Sequence, residues 1–109
     1  MVLVYNDFKN AVANPPDGVI AELRLMVDKA IKFNISQKGN FNFNNFLSFV
    51  FNSITSWQIV CDLTDNEKIK LNLIKNLVQR ELISQINLSC NDVHKINTFL
   101  KMLHDLLLT

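Results

Sequence analysis

The sequence predicts an all-α fold: a compact bundle of four main helices preceded by a short N-terminal helix. Three observations carry that expectation. The chain holds only two Gly and two Pro, too few for an all-β protein, which needs a turn about every 8–12 residues. Apolar residues recur at spacings of three and four along most of its length, the period of one helix face. Thr64 followed by Glu67 is a capping box, the clearest local start signal in the chain.

The chain of 109 residues has the size of one domain, and 1–109 reads as a single unit without internal repeat or linker. Its hydrophobic fraction is 49% and its charged fraction 19%. That suits a globular protein and leans slightly toward buried or partnered surface. The net charge of +1 supplies no global field toward nucleic acid or membrane.

The elements follow in order. Asn6 or Asp7 can cap a short helix holding Phe8 and Val12, which Asn14-Pro15-Pro16-Asp17-Gly18 stops. Asp17 is then placed to cap a second helix reaching about Phe33. Its inward face is expected to be Val19, Ile20, Leu23, Met26, Val27, Ala30 and Ile31. Ser36-Gln37-Lys38-Gly39-Asn40 reads as a loop.

The longest charge-free stretch comes next, over residues 39–61, between Lys38 and Asp62. It holds Phe41, Phe43, Phe46, Phe49, Phe51 and Trp57, and a helix is expected over about 42–61. At 100° per residue Phe43, Phe46, Leu47, Val50, Phe51, Ile54, Trp57 and Cys61 share a face, which Phe49 and Val60 widen. The other side carries Asn44, Asn45, Ser48, Asn52, Thr55 and Ser56: polar, yet uncharged. Faces left to bulk water usually carry Lys or Glu. Small hydroxyls and amides suit close packing against another backbone. The length would span a bilayer, but six amides would enter hydrocarbon unsatisfied, so no membrane span is expected.

After the capping box a helix is expected to about Gln85 or Ile86, with two apolar stripes. Ile69, Leu73 and Leu77 form one; Leu71, Ile74, Val78 and Leu82 form the other. So wide an arc touches neighbours on two sides, and one of them can be another chain. Ser89 with Asp92 resembles a further capping box, opening a last helix to about Leu107. Val93, Ile96, Leu100, Leu103 and Leu107 form its apolar seam, flanked by Phe99 and Leu106; ordinary bundle packing is expected rather than a coiled coil.

Chemistry is sparse. Cys90 and His94 share a helix face, and Cys61 and His104 are further donors. No CxxC or HxxxH pair anchors a zinc set, and both histidines project off the apolar face. Cys90 at a helix start beside His94 lacks the third member and oxyanion site of a nucleophilic enzyme. No paired carboxylates, P-loop or dinucleotide fingerprint is present. The expectation is a chain that is not an enzyme and needs no cofactor.

Function is therefore expected in binding. The primary reading is a protein–protein interaction or assembly module, self-associating or a small subunit of a larger assembly. Its interface would be drawn from Phe41, Asn45, Ser48, Phe49, Asn52, Thr55 and Ser56. Leu25, Phe33, Met102 and Leu108, outside the main stripes, add apolar surface. The alternative is a nucleic-acid-associated regulator using Lys68, Asn72, Lys75 and Gln79. The nearly neutral charge, with Asp65, Glu67 and Glu81 in the same helix, disfavours it.

The start Met1-Val2-Leu3-Val4-Tyr5-Asn6-Asp7 has no basic region or sustained apolar run, so an intracellular, reducing compartment is expected. The sequons at Asn34 and Asn87 are accordingly read as chance matches. Abundant Asn, Ile, Lys, Leu and Phe are frequent in AT-rich genomes, those of large DNA viruses among them. On that hint the expected setting extends to the virion or host cytoplasm, and a further alternative is a host-factor antagonist.

Overall fold

The computed structural model describes residues 17–37, 40–87 and 92–109, with the side chains of 85–87 excepted. These residues form four helices and no strand: α1 (Val19–Ser36), α2 (Phe43–Val60), α3 (Asp65–Asn87) and α4 (Val93–Leu108). The all-α bundle is thus the fold. The expected short N-terminal helix lies outside the described residues.

Side-chain hydrogen bonds open α2, α3 and α4. Asn42 caps α2, its side chain accepting from Asn45 N at 3.0 Å. Before α3, Thr64 Oγ1 accepts from Glu67 N at 3.2 Å, while Glu67 Oε1 accepts from Thr64 N at 2.9 Å. Both halves of the box are therefore made, satisfying two orphan amides of the first turn. Asp92 caps α4, its Oδ1 accepting from His94 N at 2.9 Å and Lys95 N at 3.3 Å. These bonds hold its carboxyl below the ordinary aspartate range, the Lys95 amide first and the His94 amide next.

Two expected caps are corrected. Gly18, not Asp17, stands at the N-cap of α1, with no side-chain bond. Its φ of 91° is left-handed backbone that a glycine adopts without strain. The last helix opens on Asp92 itself rather than on a box begun at Ser89, which lies outside the described residues. Helix α1 also continues past Phe33 by most of a turn, to Ser36.

The helices pack as two pairs, α1 chiefly on α4 and α2 chiefly on α3. Bonds between their ends show both pairs antiparallel. Asn34, near the end of α1, reaches Val93 at the start of α4. Gln58, near the end of α2, reaches Asn72 in the first half of α3. Between the pairs sits a core built around Trp57, Leu23, Leu47, Ile54, Leu71, Leu100 and Leu103. The Cα radius of gyration of 13.2 Å matches the about 13 Å of a packed 100-residue domain.

At one end of the core the aromatic rings meet. Phe41 lies 6.0 Å from Phe33 and 5.7 Å from Phe46, and Phe43 meets Phe99 edge-on at 5.6 Å. These separations and tilts are the favoured ones for aromatic pairs. They fasten the start of α2 to both members of the other helix pair.

Candidate protein-docking face

The α2–α3 pair is where the sequence placed the binding surface. Along its seam, Gln58 Nε2 donates to Asn72 Oδ1 at 2.8 Å, and Lys75 Nζ donates to Gln58 Oε1 at 3.1 Å. Lys75 also lies 5.2 Å from the centre of the Phe51 ring, a cation–π distance. The seam thus uses two of the four residues proposed to touch nucleic acid, Asn72 and Lys75. Lys68 and Gln79 stay exposed on the same helix.

On α2, Asn44, Asn45, Ser48 and Asn52 are exposed, and Thr55 and Ser56 half-buried. The Thr55 hydroxyl donates to Phe51 O at 2.9 Å, one turn back along its own helix. Its proton is therefore spent inside α2. Phe41 and Phe49 are placed differently from the expectation. They are 5% and 7% exposed, members of the core cluster, so their rings pack within the chain and offer no docking surface. Phe49 extended the inward arc of α2 rather than its outer side, and Phe41 turns in just before the helix begins.

The structure adds residues the sequence reading passed over. Ile59 is 78% exposed, and the helical period puts it on the face of Asn45, Ser48 and Asn52. Spacing alone was enough to find it. On α3, Leu71, Ile74 and Val78 are buried, so this stripe faces the core. The other stripe divides: Leu77 packs at the core edge, while Ile69 and Leu73 are 68% and 44% exposed. Ile83, 58% exposed, lies on that outward side about four helical turns beyond Ile69.

Apolar surface elsewhere is scattered. Leu25, Met102 and Leu108 are exposed on the other helix pair. Phe33, expected outside the packed face, is half-buried against the core beside Phe41.

Other candidate chemistry is thin. His94 is exposed and Cys61 is a half-buried free thiol; Cys90 lies outside the described residues. His104 is half-buried rather than free in solvent. It lines a hollow of about 280 Å³ between α1 and α4 with Asp28, Ile31, Lys101 and Asp105. That described lining includes no serine, threonine or cysteine to act as a nucleophile. Among the described residues no group of three or more His, Cys, Asp or Glu is placed to hold a metal ion. No described helix is long and apolar enough to cross a membrane. Asn34 is buried with its amide donating to Val93 O, so the first sequon is closed to a glycan in the folded chain.

Comparison with known proteins finds no matching family model, no matching curated protein and no matching solved structure.

Proposed function

We propose that this chain is a non-enzymatic protein-interaction module that docks through the outward side of its α2–α3 pair. One observation supports the reading above the rest: α3 is apolar on two sides, and only one side has the core to pack against. Ile69, Leu73 and Ile83 remain open to water. Large exposed apolar residues gathered on one element mark an interface more than scattered ones do. The uncharged stripe of α2, ending in Ile59, extends the surface with amides and hydroxyls that can bond across a seam.

The role that fits is assembly, with a second copy of the chain as the first occupant and a larger subunit as the other. Free Cys61 agrees with a reducing intracellular setting. The viral setting rests on composition alone. The nucleic-acid alternative has less support, because Lys75 and Asn72 are engaged along the seam.

The test compares the natural chain with Ile69→Lys/Leu73→Lys, using Met102→Lys as a control on the other helix pair. The proposal predicts that self-association, or retention of a co-purifying protein, is lost only in the α3 variant, which still melts cooperatively as a folded chain. If the α3 variant matches the natural chain in both respects, the face is not an interface.

A further inference from the structure

We infer that the outward face of α3 pairs with the same face of a second copy, antiparallel, about a two-fold axis near Asn72 and Leu73. This inference rests on the docking reading above, commits to the second copy as occupant and adds a register.

At 100° per residue, Asp65, Ile69, Leu73, Asn76 and Arg80 fall within an arc of about 80° on the exposed side of α3. Read along the helix, the stripe runs acid, two apolar residues, an amide and a base, with exposed Ile83 beyond the base. Neither Asp65 nor Arg80 has an ion-pair partner among the described residues. Reversed against itself, such a stripe sets acid opposite base at both ends. In a two-fold contact each residue meets a residue of the same patch. An axis midway between Asn72 and Leu73 stands about 11 Å along the helix from both Asp65 and Arg80. It brings Asp65 of each copy opposite Arg80 of the other. Leu73 of both copies then lies at the axis, and Ile69 of each copy, about 5 Å from it, lies opposite Asn76 of the other, inside the charges. Apolar centre and charged rim is the usual order of a protein interface. Lys75 does not oppose its own copy, because it is turned toward Gln58 and the Phe51 ring.

Charge reversal tests the register. The variants are Asp65→Arg, Arg80→Asp and the double variant carrying both changes, followed by light scattering over a dilution series at low salt. The natural chain is expected to reach twice its 12.5 kDa mass. Each single reversal sets like charges opposite one another and should weaken dimerisation at least about tenfold. The double variant should recover it, as should an equimolar mixture of the two singles. That recovery also controls for any loss of helix stability from the substitutions. A natural chain that stays monomeric at every concentration overturns the inference. So do single reversals that dimerise normally, or a mixture that stays monomeric. Association abolished by Ile69→Lys/Leu73→Lys but indifferent to charge reversal keeps the docking face and removes this register.

Discussion

The side chain of Asn34 donates to the carbonyl oxygen of Val93 at 3.1 Å, tying the last turn of α1 to the first turn of α4 across 59 residues of chain. Asn34 is buried, so this bond forms where water competes poorly. It also sets the antiparallel register of the α1–α4 pair. Asn34→Ala is expected to lower stability by about 1–2 kcal/mol, from the lost bond and the space left behind. Urea unfolding monitored by circular dichroism checks it.

Trp57 is fully buried at the centre of the core, and its indole Nε1 has no hydrogen-bond partner among the described residues. Truncation and conservative replacement should therefore differ sharply. Trp57→Ala is expected to cost about 3–5 kcal/mol. Trp57→Phe removes volume but no hydrogen bond and should cost well under half of that. Comparable losses in the two variants would show that the indole N–H is bonded after all.

The box at the start of α3 separates into two bonds. Thr64→Ala removes the acceptor for the Glu67 amide and is expected to cost about 1 kcal/mol. Thr64→Ser keeps that acceptor and should stay close to the natural chain. Melting temperatures of the two variants measured together decide it, since loss of the threonine methyl is common to both.

The Asp92 cap gives α4 an acid dependence of known sign. Its carboxyl is held below the ordinary value by the amides of Lys95 and His94. A group depressed in the folded state adds stability above its unfolded pKa, about 3.9. That stability is lost as pH falls through the folded value. Asp92→Ala should thus melt lower than the natural chain at pH 7, and the gap should close as pH falls below about 4. A gap of constant size from pH 7 to pH 3 would mean that the carboxylate does not carry the cap.

What proved legible in the sequence was local. Asn42 and Cys61 bound α2 within a residue of the expected limits, and Thr64 with Glu67 named the start of α3, because caps depend on neighbours three or four positions away. The two stripes of α3 were legible as well. Which of them would turn inward was not, since that depends on where α2 lies. Phe41 and Phe49 show the same limit from the other side. Their chemistry suits a core or an interface equally, and only the placement of the helices decides between them. Asn34 had no local signal, because its partner is 59 residues distant. Ile59 did have one, sharing the period of Asn45, Ser48 and Asn52.

The most direct test of the account is light scattering across a dilution series of the natural chain beside Ile69→Lys/Leu73→Lys. The central claim, that the outward face of α3 meets a second copy, predicts a natural-chain mass above 12.5 kDa that falls on dilution, and a variant at 12.5 kDa throughout that still unfolds cooperatively. Identical masses for the two at every concentration would contradict it.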